Sequence, residues 1–216
     1  MIVDCHTHTF YSDGECLPSE HIRRCEENGY KAVAITDHAD IGNIKELLTK
    51  IKPVIEVINV HSKIKVLPGV EITHVHPDAI KSCVDYAREL GAKVIVVHGE
   101  TPFEPVYKGT NKAAILAGCD ILAHPGLISP ELATLAAEKN VMLELSLRKG
   151  SAVSNGHIMN VARNTGANVI VNSDAHSPSD FFTEKIYREV ALGAGMSEGE
   201  FNAMVKRLHA WLEGLC

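Results

Sequence analysis

The sequence predicts an α/β fold, a single parallel sheet closed into a barrel, on three observations. Short aliphatic or β-branched runs recur seven times along the 216 residues, and a helical stretch follows each. The runs are almost continuously apolar, as strands buried on both faces must be. No low-complexity linker or charge block divides the chain, and the repeated unit is structural and not a repeat of sequence, so residues 1–216 read as one domain.

The elements follow in order. The first strand is MIVDC (1–5), which the chain enters with no basic or apolar leader before it. Ser19 precedes the helical stretch EHIRRCEEN as its expected cap, and Gly29 closes it. Strands then fall at KAVAIT (31–36), IKVLPGVEI (64–72) and AKVIVV (92–97), with Gly91 ending the helix before the last of these. CDILA (119–123), VMLELS (141–146) and NVIVNS (168–173) complete the set, with Gly166 closing the helix before the seventh. At the C-terminus Ser197 and Glu200 form a capping box. Phe201, Met204, Val205, Leu208, Trp211, Leu212 and Leu215 follow at helical spacing, a stripe suited to core packing.

Composition narrows the function classes. A net charge of −6, with acidic and basic residues mixed, offers no basic stripe for a long nucleic acid. No apolar stretch approaches the ~20 residues of a membrane span, and a cytoplasmic location is expected. Six cysteines (Cys5, Cys16, Cys25, Cys83, Cys119, Cys216) include no C-x-x-C pair and read as buried or free thiols.

Chemistry-bearing residues sit where the strands end. His6 and His8 are one residue apart on a strand, so their imidazoles share a face, as half of a metal site would. Further along, at intervals of one βα unit, come His38 in AITDHAD, Glu71 in LPGVEI, His98 in VIVVHGE, His124 in ILAHPG, and Asp174 with His176 in VNSDAH. Glu144 lies on the remaining strand, suited to orienting a ligand or balancing charge. In a closed parallel barrel all C-terminal strand ends meet at one mouth, where catalytic groups of this architecture collect. A mixed imidazole and carboxylate set suits Zn²⁺, Mn²⁺ or Fe²⁺ better than Mg²⁺ or Ca²⁺.

These motifs, HTHTFYSDG, TDHAD, GVE, HPG and SDAH in this order, resemble those of the PHP (polymerase and histidinol phosphatase) family of metal-dependent phosphoesterases, over essentially the whole chain. The resemblance implies a distorted (β/α)7 TIM-like barrel holding two or three divalent ions. It places His6, His8, Glu71 and Asp174 on a first metal, with Glu71 bridging to a second held by His98 and His124. Asp13, His38 and His176 would hold a third; some members carry a histidine in the first loop, where this chain offers Asp13. The activity implied is hydrolysis of a small phosphate monoester, histidinol-phosphate-like or a nucleotide, by a hydroxide bridging two metals. Three dications against the carboxylates of Glu71, Asp174 and Asp13 leave a charge of about +3, which draws in a phosphate dianion.

Other residues follow from position. Arg148, beside Lys149 in ELSLRKG, has the planar fork suited to phosphate oxygens, and a similar Arg-Lys pair follows the corresponding strand in histidinol-phosphatase-like members. Asp37 should serve behind a ligand or as a helix cap, and His74 and His76 should either touch substrate or face solvent. The longest mouth insertion, GETPFEPVYKGTNK, offers Phe103, Tyr107 and Lys108 to a leaving group. His21, His61, His157 and His209 lie in helical or linker stretches and carry no expected chemistry.

Three rival readings remain. An amidohydrolase also opens with H-x-H, but it would usually place a bridging lysine on a middle strand, where this chain has Glu71 and His98. A PHP-type nuclease would need a groove for a phosphodiester chain, which the acidic composition does not favour. A non-catalytic metal-stabilised module would be expected to have lost ligands, and none is missing.

Overall fold

Parallel strands carry the fold throughout. The computed structural model describes residues 2–215. In chain order the strands are β1 (Ile2–Asp4), β2 (Tyr30–Ile35), β3 (His38–Ala39), β4 (Lys65–Ile72), β5 (Val94–His98), β6 (Ile121–Ala123), β7 (Met142–Ser146) and β8 (Val169–Asn172). Neighbours run β1-β2-β4-β5-β6-β7-β8, giving the seven positions expected from the sequence. The two-residue β3 extends the line of β2 and pairs with the end of β4, His38 opposite Glu71.

The sheet nearly closes on itself, and polar groups complete the seam between β1 and β8. The Asp174 N–H donates to the His6 carbonyl at 3.0 Å and the His8 N–H to the Ala175 carbonyl at 2.9 Å. Asn172 Oδ1 accepts from the Cys5 N–H at 2.9 Å. Buried Asp4 accepts from both the hydroxyl and the N–H of Ser173. Closure therefore joins the first and last strands of the sheet beside His6, His8 and Asp174.

Helices α1 (Pro18–Glu27), α2 (Ile44–His61), α3 (Pro77–Glu89), α4 (Thr110–Ala117), α5 (Pro130–Lys139), α6 (Asn155–Thr165), α7 (Glu184–Gly193) and α8 (Glu198–Gly214) connect the strands or complete the chain. Both faces of each strand are consequently buried, so Val33, Val70, Val96, Leu122, Leu143 and Val171 share one continuous core. On α8 the capping box of Ser197 and Glu200 forms as expected. Phe201, Met204, Leu208 and Leu212 are buried, with Val205, Trp211 and Leu215 packed at the edge.

One expected helix start is corrected. Pro18, whose fixed φ suits the first helical position, opens α1 with Leu17 as N-cap, so Ser19 lies inside the first turn. Asp37 does not cap a helix either, because α2 begins at Ile44 with Asn43 as its N-cap. Cys5, Cys16, Cys25, Cys83 and Cys119 are buried free thiols, while Cys216 and the Met1 start of the first strand lie outside the described residues. Among the described residues no helix is long and apolar enough to cross a membrane.

Candidate metal centre

Strand ends bring eight of the nine expected donors to one mouth, and the loop after β1 brings the ninth, Asp13. His6 and His8 follow β1, His38 opens β3, Glu71 lies near the end of β4 and His98 is the last residue of β5. His124 follows β6, and Asp174 and His176 follow β8. Four non-glycine residues among those described have positive φ, and three are here: His74 (+54°), His124 (+28°) and Asp174 (+54°). Such a backbone costs about 1–2 kcal/mol for an L-residue and persists where the surroundings enforce it. The enforcement is visible at Gly99 and Gly126, where a Cβ would come within 2.3 Å of the Ala123 carbonyl and 2.2 Å of the Glu100 carbonyl. The loops after β5 and β6 thus touch backbone to backbone, which fixes the approach of His98 and His124.

The donors fall into overlapping groups, one of which brings His6 and Asp174 together with His124. His6 Nε2 lies 3.2 Å from Glu71 Oε1 and 3.7 Å from Asp174 Oδ1, and His8 Nε2 lies 3.3 Å from Asp174 Oδ1. His124 Nε2 lies 3.7 Å from Glu71 Oε1, which also faces the cluster completed by His98. At the rim Asp13 Oδ1 is 3.4 Å from His38 Nε2 and 3.2 Å from His176 Nε2, and His8 joins the same group. Two atoms bound to one ion at about 2.0–2.2 Å lie roughly 2.9–3.6 Å apart, so these separations are close to edges of coordination polyhedra.

Unpartnered atoms test whether ions fit. His6 Nε2, His8 Nδ1 and Nε2, Glu71 Oε1, His124 Nδ1 and His176 Nε2 are buried without a hydrogen-bond partner. Orphans of this kind are costly in a folded interior. Here most point at one another as soft imidazole and hard carboxylate donors, and divalent ions satisfy both. The residues present fit metal ions.

Buried partners set the tautomers. Glu144 accepts from His6 Nδ1 at 2.7 Å, from Asn172 Nδ2 at 2.8 Å and from the His124 N–H at 3.0 Å. A carboxylate only accepts, so His6 carries its proton on Nδ1 and turns the Nε2 lone pair inward. Asp37 accepts from the N–H and hydroxyl of Thr9 and from the Ser12 hydroxyl, each at 2.7 Å, and so shapes the loop that carries Asp13. This is the supporting role expected for Asp37. Thr73, which the sequence did not single out, places its hydroxyl 2.8 Å from His38 Nδ1.

Without ions the cluster's charges compete. Burial alone would lower His6, but Glu144, Glu71 and Asp174 hold it well above its ordinary value. Burial would likewise lower His38, yet Glu71 and Asp13 raise it to about 10. Burial raises Asp174 to about 7, and lowers His124 to about 4 with help from His98. The carboxylates thus favour the charged form of His6 and His38, while burial favours the neutral form of His124.

Arg148 reaches the cluster and Lys149 does not. The Arg148 guanidinium lies 3.6 Å from Asp174 Oδ2, with Nη1 2.6 Å from His176 Nδ1. Lys149 is exposed, on the wall of an adjoining cavity. The metal cavity, about 220 Å³, is lined by Asp13, His38, Glu71, His98, His124, Arg148, Asp174, His176 and one unexpected residue, Glu104. Glu104 lies in the long mouth insertion, where its carboxylate among exposed Phe103, Tyr107 and Lys108 was the only signal. Contact with His98 holds it down at about 2. Of the two uncertain histidines, His74 joins Glu104, and His76 caps α3 by accepting from the Asp78 N–H.

Comparison with known proteins agrees with this geometry. The sequence matches the PHP domain family over residues 4–188. An uncharacterized protein of Methanocaldococcus jannaschii is 42% identical over 93% of both chains. A "Probable phosphatase" of Shewanella frigidimarina is 28% identical over 82% of this chain and 78% of its own. The "DNA polymerase/3'-5' exonuclease PolX" of Bacillus subtilis is 27% identical over 81% of this chain, which spans 34% of that protein. Among solved structures, a "putative histidinol phosphatase" from Listeria monocytogenes shares the fold with a TM-score of 0.63 at 12% identity, over 86% of this chain and 99% of its own. The family match spans most of the chain, including every strand-end donor, and so the protein belongs to the PHP domain family of metal-dependent phosphoesterases.

Proposed function

We propose that this protein hydrolyses a small phosphate monoester, histidinol-phosphate-like or a nucleotide, at a centre for three divalent ions of Zn, Mn or Fe. The observation that carries the reading is a pair of adjoining cavities. The donor-lined cavity of about 220 Å³ shares Arg148 and Asp174 with a larger one of about 500 Å³, bounded by Leu147, Lys149, Ser179, Phe181 and Ile186. A phosphate in the first would place its organic group in the second, which has room for a small leaving group.

His6, His8, Glu71 and Asp174 would hold one ion, Glu71, His98 and His124 a second, and Asp13, His38 and His176 the third. Bound ions of this kind lower the pKa of water and offset the charge of the phosphate. The chain's own contribution is orientation. Glu144 keeps His6 in one tautomer, and Asp37 holds the loop of Asp13. His176 has one Nδ1 and two claimants for it, the Asp174 carbonyl at 2.9 Å and Arg148 at 2.6 Å. Ligation through Nε2 requires Nδ1–H, which donates to the carbonyl and leaves Arg148 free to grip phosphate oxygens.

Free buried cysteines accord with a reducing cytoplasm, and we assign residues 1–216 to one catalytic domain. Elemental analysis with a phosphate-ester panel tests the reading. More than one equivalent of Zn, Mn or Fe and turnover of small monoesters are expected. Full activity in metal-free protein would overturn it, and faster cleavage of single-stranded DNA than of any small ester would favour the exonuclease activity that the similarity to PolX raises.

A further inference from the structure

The nine expected donors leave out one carboxylate at the mouth. Glu104 is exposed, yet its Oε2 lies 3.1 Å from His98 Nε2 and 3.1 Å from His74 Nε2. The base of its loop is fixed on several sides. Glu100 Oε1 accepts from the N–H groups of Gly109 and Asn111, and Asn111 Oδ1 accepts from the Glu100 N–H at 2.9 Å. Asn111 Nδ2 then donates to the Pro125 carbonyl, tying the loop to the segment after His124. At the tip the Val106 N–H donates to the Glu104 carbonyl, and the Phe103 ring lies over Gly150. His74, the other partner of Glu104, is held at a φ of +54°.

His98 can serve only one ion here. Its Nδ1 faces the Gly99 carbonyl at 3.2 Å, an acceptor, so a neutral ring that keeps this contact carries its proton there and turns the Nε2 lone pair toward the mouth. That same Nε2 belongs to the group with Glu71 and His124 and to the group with His74 and Glu104. In the ion-free protein a protonated His98 ring can donate to Glu104 across this 3.1 Å contact, and once the ring is neutral its Nε2 lone pair and the Glu104 oxygen both face the position an ion would take. The separation is also that expected for two ligands of one ion.

We propose that Glu104 is a further ligand of the divalent ion held by Glu71, His98 and His124, approaching it from the rim, with the ring N–H of His74 orienting the carboxylate. This rests on the metal-centre reading above, and it makes the loop between β5 and α4 part of the ion's shell. The charge at that ion falls by one, and its outer side is covered by protein.

Titration of the metal-stripped protein with Co²⁺, followed by calorimetry and visible absorption, tests the proposal without reference to turnover. Glu104→Gln should bind the same number of ions as wild type with one of them weakened roughly 10- to 100-fold, and the visible bands should intensify as that ion loses a ligand. His74→Ala should weaken the same ion by less. Isotherms and spectra identical to wild type in Glu104→Gln would overturn the proposal while leaving the metal centre standing. Absence of Co²⁺ binding by wild type would remove both. Glu104 is exposed, so the variant should fold, and its circular dichroism spectrum checks this.

Discussion

The floor of the mouth and its rim use the same residue types but hold them by different means. On the floor, His6, His8 and Glu71 are fully buried, and the floor is braced by Glu144, Asn172 and Asp4, themselves buried. At the rim the Asp13 side chain is 54% exposed and that of Glu104 43%, each on a loop. Strand ends and a buried polar network preorganise the floor before any ion arrives. The rim is set by loop closure, so its ligands can exchange with water and with substrate. On the proposed metal-centre reading, the floor would retain the ions and the rim would meet the changing ligand.

The largest test of that division is Glu71→Ala. Glu71 Oε1 faces His6 and His124, and Oε2 faces His8 and His38, so its loss touches all three donor groups. Activity should fall on the order of 10³-fold and the bound metal should drop by more than one equivalent. His38→Ala should cost less and release one ion. Equal residual activity and metal content in the two variants would erase the distinction between floor and rim.

Glu144→Gln touches no ion directly, yet it should weaken the floor. The amide cannot accept from His6, Asn172 and the His124 N–H as the carboxylate does, and one buried group is left unpaired. A stability loss of about 1–3 kcal/mol in urea unfolding and a fall of roughly 10- to 100-fold in affinity for the inner ions should accompany each other. Loss of stability with unchanged metal affinity would make Glu144 a packing residue only.

Proton linkage reaches both regions. In the metal-free protein the carboxylates override burial and keep His38 protonated, with a pKa of about 10, and hold His6 well above its ordinary value. Ligation requires the neutral ring, so binding near neutral pH releases these protons. Affinity should therefore rise with pH, by up to roughly tenfold per unit for each proton released. Calorimetry in buffers of different ionisation enthalpy counts those protons, and a count of zero would show that the free imidazoles are already neutral.

Much of the floor was legible because its rules are local. A two-residue period puts His6 and His8 on one face, and a histidine or carboxylate closing six of the seven apolar runs marks a strand mouth. Even Glu144 stood out as a charge inside an apolar strand. The rim was harder. Glu104 reaches His98 only because Glu100, Asn111 and Gly126 close its loop, contacts that no periodicity encodes. Ser19 was misjudged as a cap because the fixed φ of Pro18 starts the helix two residues earlier.

Arg148 stands between the two regions, touching Asp174 and His176 while lining both cavities. Arg148→Ala should lower kcat/KM roughly 10- to 100-fold with a raised KM, since a charged hydrogen bond contributes about 1.5–3 kcal/mol, and metal content should not change. Wild-type kinetics would move the phosphate contact elsewhere. Loss of an ion would mean that Arg148 supports His176 and not the substrate.

The smallest effect should come from the neighbouring Lys149. Its side chain is exposed on the wall of the outer cavity, and a point charge in water contributes little beyond a Debye length of roughly 8 Å at physiological salt. With the phosphate in the donor-lined cavity as proposed, Lys149 would touch only the organic part of a substrate, whereas Arg148, which lines both cavities, would reach the phosphate. Lys149→Ala should change kcat/KM by less than about threefold, and that change should shrink as salt is added, whereas the Arg148→Ala loss should persist. The ratio of the two effects, measured on one ester at low and high salt, reads out how far the anion penetrates. Comparable, salt-sensitive losses in both variants would place the phosphate in the outer cavity and leave the donor-lined cavity to the ions alone.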